Sequence, residues 1–245
     1  MATEPKKSIL PDYMASMSHD LRNRLHGILS FSNFGIKKID ENKATEEKLK
    51  HYYTNIKESG TRLLNLLNNI VDLAKLESGR VIVTLEERNL TIVVNGVIAE
   101  LYPLLSQQEI SINLSEPDAE AMAEIDSKLL GQAIKNLFMQ VVTNSSASDI
   151  IEAEVSIDNQ NSEKSGDNDL PMVQFSLNDS NADHSEKAIE KYLDLALNLV
   201  DKAGDDRGLG LTISKMIIEM HQGRIWAEAG SAGGVDVCFV LPKKV

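Results

Sequence analysis

A chain of 245 residues with 42% hydrophobic content is long enough for one large or two small packed domains, which excludes a disordered tail. Its 37 acidic residues outnumber 25 basic ones, and the resulting net charge of -12 argues against nucleic acid as a partner. Cys238 is the only cysteine, so no internal disulfide can form; it lies in an alternating apolar run, where a buried, inert thiol in a reducing cytosol is expected.

The segment Met1 to Leu10 carries no apolar signal core. The most apolar long window, Leu90 to Leu105, is interrupted by Asn95 and Glu100, so no membrane span is expected. The reading is of a cytoplasmic protein that takes its input from a separate cytosolic sensor protein.

From about Pro11 to Ser78, apolar residues recur three and four apart: Leu21, Leu25, Ile28 and Leu29, then Ile56, Leu63, Leu67, Ile70 and Ala74. This spacing predicts two long helices. The polar run Asp40-Glu41-Asn42-Lys43 breaks the rhythm and places the turn of an antiparallel hairpin. The second helix carries a further stripe, Leu66, Leu73 and Leu76. A dimeric four-helix bundle would bury both stripes, and a monomeric hairpin packed on the rest of the chain is the alternative.

After Ser78-Gly79-Arg80 the texture changes: Val81, Val83 and Leu85 alternate like a strand, which puts a domain boundary near residue 79. Helices are predicted at about Thr91 to Gln107, Ser127 to Gln140, Ser185 to Lys202 and Leu209 to His221. Strands are predicted near 109–114, 150–158, 171–178, 223–229 and 234–241, giving a mixed α+β domain. The run Asn159 to Asp169 has no apolar residue and reads as a polar hairpin loop. No internal repeat stands out.

His19 is followed at once by Asp20, and Asn23 falls one helical turn later on the same face. A carboxylate beside an imidazole can hold its Nδ1–H and leave Nε2 as a nucleophile, while the amide one turn on can position a water or a transferred group. The bland alternative is a solvated surface histidine, and His26, one heptad after His19, shows that histidines occur here without such neighbours.

The run Met17-Ser18-His19-Asp20-Leu21-Arg22-Asn23-Arg24-Leu25, followed by Gly27-Ile28-Leu29, resembles the phosphoacceptor box of bacterial two-component sensor histidine kinases. The stretch Ile70 to Gly79 is similar to the end of that family's dimerisation hairpin, and the likeness runs from about residue 12 to 242. It implies a dimerisation and histidine phosphotransfer hairpin over 1–79 and an ATP-binding α/β sandwich over 80–245. His19 would be phosphorylated, Asp20 would assist the nucleophile, and Asn23 would act in dephosphorylating a partner receiver domain. Arg24 stands where the family usually has proline, which implies a straighter helix.

Arg207-Gly208-Leu209-Gly210-Leu211, leading into Thr212 to Gly223, resembles the second glycine box of the family's nucleotide domain. Glycines before a helix let backbone N–H groups approach a phosphate, where the helix dipole also favours an anion. Gln132 to Gln140 aligns with the asparagine box: Asn136 is kept, Gln140 replaces the second, magnesium-binding asparagine, and Thr143 stands where a lysine is common. The resemblance makes Asn136 and Gln140 the metal ligands; the extra methylene of Gln140 shifts its oxygen, which Mg²⁺ tolerates poorly.

In place of the family's Asp-x-Gly-x-Gly, the first glycine box reads Asp179-Ser180-Asn181-Ala182-Asp183. Asp179 remains to accept a hydrogen bond from the adenine amino group. The lid is short, with Tyr192 to Leu197 in place of the usual aromatic box, and Asp205 and Asp206 put like charge near the triphosphate. Either ATP use is retained through backbone amides and metal, or it has been weakened or lost.

The resemblance thus implies a protein histidine kinase that is autophosphorylated on His19 from ATP and transfers the phosphoryl group to an aspartate of a response regulator. Its implied nucleotide contacts are Asn136, Gln140, Asp179, Arg207, Gly208 and Gly210, with ATP and Mg²⁺ as ligands. An ATP-independent phosphotransferase or response-regulator phosphatase is the alternative, and a non-catalytic dimeric adaptor is a third.

Overall fold

The computed structural model describes residues 10–158, 172–182, 185, 207–231 and 233–243, the side chains of residues 10–20, Asp158, Arg207 and Gly208 excepted. The predicted loop Asn159 to Asp169, nearly all of the predicted helix Ser185 to Lys202, and the acidic residues Asp183, Asp205 and Asp206 lie outside these residues. The chain divides after Arg80 into a helical unit and an α/β unit.

In the helical unit, α1 (Leu10–Asp40) and α2 (Glu46–Glu77) form the hairpin. Its turn falls on the polar break: Asn42 takes a left-handed φ of 52°, and the Lys43 N–H closes onto the Lys38 carbonyl at 2.9 Å. Thr45 caps α2 by accepting the Lys48 N–H. Lys37 and Lys38 in the last turn of α1, and Glu46 and Glu47 in the first turn of α2, each oppose their helix dipole.

The two helices approach closely at Gly27, where a Cβ would lie 3.3 Å from Ser59 Oγ. Phe31 meets His51 edge-on and tilts against Tyr52. Leu66, Leu73 and Leu76 are buried, while Leu25, Leu29, Leu64, Leu67 and Val71 each leave close to half of their surface exposed. The further stripe predicted on α2, Leu66, Leu73 and Leu76, is therefore the buried one, while Leu64, Leu67 and Val71 form an exposed row on the same helix.

The α/β unit opens with β1 (Glu86–Asn89), which pairs antiparallel with β3 (Met122–Ile125) in a two-stranded sheet. Between them run α3 (Leu90–Gln108) and β2 (Ser111–Ser115). Then come α4 (Ser127–Asn144), β4 (Ile150–Asp158), β5 (Met172–Asp179), α5 (Arg207–Met220), β6 (Arg224–Ala229) and β7 (Val235–Pro242). The main sheet has the order β2-β4-β5-β7-β6, with β2 and β4 parallel and the other neighbours antiparallel. Its inner face packs on α3, α4 and α5 through a core in which Phe175 of β5 sits between Phe138 of α4 and Phe239 of β7.

Three sequence expectations shift. Residues 81–85 do alternate between half-buried and exposed, but no neighbouring strand pairs with them, and the ladder begins only at Glu86. The four-residue strands β1 and β3 were not anticipated, because neither is long enough to show alternation. Helix α4 continues four residues past Gln140 to Asn144.

Among the described helices, α3 alone is long and apolar enough to cross a membrane by length and composition. Here Leu90, Val94, Val97, Leu101 and Leu105 make it a core helix. Cys238 is buried in β7.

Asp126 is the N-cap of α4: Oδ1 accepts the Lys128 and Leu129 N–H groups, and Oδ2 accepts that of Thr84 at 3.0 Å. Partial burial pushes its carboxyl pKa up, but these backbone donors outweigh it and the net shift is downward. A carboxyl with a lowered folded pKa adds stability above its unfolded pKa of about 4 and loses it as pH falls through the folded value. Asp126→Ala should cost about 1–2 kcal/mol at neutral pH in urea titrations, and the gap from wild type should narrow below about pH 4.

Candidate functional site

His19 and Asn23 lie four residues apart in α1, which puts them on one helical face. The helix runs through Arg24 without interruption, as expected where the proline is absent. Asn23 is exposed. The side chains of His19 and Asp20 lie outside the described residues.

In the α/β unit, α5 begins at Arg207, so the Gly208-Leu209-Gly210 run forms its first turn rather than a loop ahead of it. The first N–H groups of a helix have no partner within it and form a natural seat for anionic oxygens. Gly210 faces α4. The Asn136 amide Nδ2 donates to the Gly210 carbonyl at 3.3 Å, and Ser214 Oγ spans the same two helices by donating to the Ala133 and Gly210 carbonyls.

Asn136 and Gln140 are both half-buried and one turn apart on α4. With Nδ2 of Asn136 directed to Gly210, the ligand atom its side chain offers a hard cation is Oδ1. Among the described residues no group of three or more His, Cys, Asp or Glu side chains is placed to hold a metal. Two neutral amide oxygens nonetheless fit a magnesium ion that arrives on a triphosphate, since Mg²⁺ keeps several waters and takes few protein ligands. Thr143, at the lysine position, turns its hydroxyl onto the Met139 carbonyl of its own helix.

Asp179 ends β5. Alternation along this strand buries Val173, Phe175, Leu177 and then Asp179, so the same period that builds the core delivers a fully buried carboxylate to the edge of the inner face. Asn144, the last residue of α4, donates Nδ2 to Asp179 Oδ2 at 2.7 Å. Behind Asp179 stands Gly234, with φ +71°, in the turn before β7; a Cβ there would collide with the Asp179 carbonyl oxygen and lie 2.6 Å from Ser180 Cα.

Just past Asp179, the Asn181 amide donates to Asp149 Oδ2 at 2.9 Å. The Ser146 N–H and then this Asn181 amide hold the Asp149 carboxyl below its ordinary pKa. The position where the family shows glycine is therefore tied by a side chain to the turn between α4 and β4.

At the far end of the same helix pair, His221 is buried and its Nε2 faces the Asp126 N–H at 3.0 Å. An N–H can only donate, so Nε2 accepts, and the ring proton on Nδ1 goes to the Ile217 carbonyl at 2.7 Å. Helix α5 is thus fastened at both its ends, to the middle of α4 and to its N-cap. Asn144, Gly234 and His221 were not singled out in the sequence. Each acts through a contact with a residue distant in the chain, and periodicity carries no signal for that.

The family model described as His Kinase A (phospho-acceptor) domain matches residues 12–79, and the one described as Histidine kinase-, DNA gyrase B-, and HSP90-like ATPase matches residues 125–245. The chain belongs to the histidine kinase family.

Its relatives include the non-motile and phage-resistance protein of Caulobacter vibrioides, 25% identical over 236 residues, which cover 94% of this chain and 27% of that protein. The sensor histidine kinase GacS of Pseudomonas protegens is 24% identical over 241 residues, covering 96% of this chain and 25% of the relative. The chain therefore spans about a quarter of the length of these two relatives. The solved histidine kinase ThkA, in complex with response regulator protein TrrA, shares the fold with a TM-score of 0.71 at 22% identity, over 97% of this chain and 63% of that one. The resemblance carried by the His19 and Gly208 boxes, and the expected order of a helical hairpin followed by an α/β ATP-binding domain, are borne out.

Proposed function

We propose that this chain is the catalytic core of a cytoplasmic two-component sensor histidine kinase, with a dimerisation and phosphotransfer domain over 1–79 and an ATP-binding domain over 80–245. The observation that carries the reading is the joint presence, in one chain, of the phosphoacceptor domain over 12–79 and the ATPase domain over 125–245. The exposed Leu25, Leu29, Leu64, Leu67 and Val71 supply an apolar face for a second copy, which would complete a four-helix bundle.

ATP would be held by Asp179 at the adenine amino group, by the first turn of α5 at Arg207, Gly208 and Gly210 on the phosphates, and by Asn136 and Gln140 through Mg²⁺. The magnesium ion, held there, would neutralise charge on the phosphate oxygens. His19 Nε2 attacks the γ-phosphorus, and a nitrogen–phosphorus bond forms as the bond to the bridging oxygen breaks and ADP departs. Asp20 takes the Nδ1 proton. The phosphoryl group then passes to an aspartate of a response regulator, and Asn23 serves the reverse, hydrolytic reaction at that partner. The solved relative in complex with a response regulator, and a second relative, ShkA, solved in complex with AMPPNP, support this choice of partner and nucleotide.

Incubation of the full chain with Mg-ATP, followed by intact mass, tests the reading. One phosphoryl group per chain is expected on wild type and none on His19→Gln. Wild type left unmodified at millimolar ATP, while still draining phosphate from a phosphorylated receiver domain, would sink the kinase reading in favour of the ATP-independent alternative.

A further inference from the structure

We infer that Asn144 is the positioning residue for Asp179, so that this chain selects its purine through an amide and carboxylate pair rather than through the carboxylate alone. The inference rests on the proposed binding of ATP by the α/β unit. Its starting point is the depth of Asp179: the carboxylate is fully buried, and a buried carboxylate needs donors to hold its charge and its orientation. Asn144 provides one at 2.7 Å, in a charge-assisted hydrogen bond of the shorter, stronger kind.

The backbone of Asp179 is fixed independently. Its carbonyl is backed by Gly234 and its neighbours pair with β7. Beyond it, the Ala182 N–H closes a turn onto the Asp179 carbonyl at 3.1 Å, and Asn181 ties that turn to Asp149. The backbone contacts do not set the rotation of the carboxylate about its own side-chain bonds, and the Asn144 amide restricts it at Oδ2. An ionised carboxylate can only accept, so its fixed plane sets the direction from which a ligand N–H must come.

A purine with an exocyclic amino group can meet this requirement. One with a carbonyl oxygen at the same carbon presents an acceptor to an acceptor, and sites built to hydrogen-bond one group reject its replacement strongly because buried polar groups are left unpaired. Asn144 therefore acts on ATP against inosine triphosphate, and has no direct contact to make with phosphate or metal. The extension of α4 past Gln140 is what brings it there.

Calorimetric titration of the full chain with Mg-ATP and with Mg-inosine triphosphate tests this, using two pairs of similar size and shape: wild type against Asn144→Leu, and Asn144→Gln against Asn144→Met. The members with an amide should prefer ATP. The Leu and Met members should lose about tenfold in ATP affinity while their affinity for inosine triphosphate stays where it was. A role in packing alone would weaken both nucleotides together, and that result overturns the inference, as does an unchanged ratio in either folded apolar variant. If Asn144→Leu does not fold, the Gln and Met pair decides. Wild type that binds ATP without preference removes Asn144's role alone; wild type that binds neither nucleotide removes the ATP-binding reading with it.

Discussion

Phe175→Ala should destabilise the α/β unit by about 3–5 kcal/mol, about a fifth or more of what holds a typical domain together. Phe175 is fully buried at the middle of β5, the central strand of the five-stranded sheet. Its ring stands 5.9 Å from that of Phe138, nearly edge-on at 67°, and 5.3 Å from that of Phe239, tilted by 36°. It therefore joins the helical layer to the sheet. Truncation removes apolar burial and both ring contacts and leaves a cavity that a rigid sheet cannot close. Phe175→Leu keeps most of the volume and should cost less than about half as much. Urea unfolding followed by the fluorescence of Trp226, the chain's only tryptophan, would measure both. Equal losses for Ala and Leu would show that ring geometry matters more than volume.

Gly234→Val should be as damaging to stability and more damaging to nucleotide binding. A β-branched residue at φ +71° is a genuine backbone outlier, costing about 1–3 kcal/mol before any contact is considered. The added Cβ also meets backbone atoms of Asp179 and Ser180, which cannot rotate away as a side chain would. Asp179 must shift, and ATP affinity should fall by more than about tenfold. Gly233→Ala is the internal control. Its φ is +99°, but a Cβ there meets nothing within 4 Å. It should show the conformational cost alone, about 1 kcal/mol, with nucleotide affinity kept. Melting curves together with ATP titrations of the two variants separate the two causes.

The hairpin was legible because its apolar spacing and polar turn are local features, and the structure breaks the chain at the same Asp40 to Lys43 run. The strand at 171–178 was legible too, but it was read as ending one residue short of Asp179, which the alternation of Val173, Phe175 and Leu177 carries to the inner face. Residues 81–85 misled for the same reason: alternation records burial on one side, whereas a strand also needs a partner, and none pairs with them. Asn144 was hidden because its significance is a bond to a residue 35 positions away. Asn181 read only as a missing glycine, and its amide's contact with Asp149 across 32 positions gives it a structural task of its own. Single-residue departures from a family pattern report what is lost. The compensating contact lies elsewhere in the chain.

The burial of Cys238 has a practical side. The chain's single sulfhydryl is 1% exposed, in a strand paired on both edges, and a thiol in such surroundings reacts slowly with maleimides. New cysteines can therefore be labelled with the native one left in place. Tyr53 on α2 and Tyr102 on α3 are exposed and lie in different units. Dyes at those two sites would report, by energy transfer in single molecules, on the distance between the helical unit and the α/β unit.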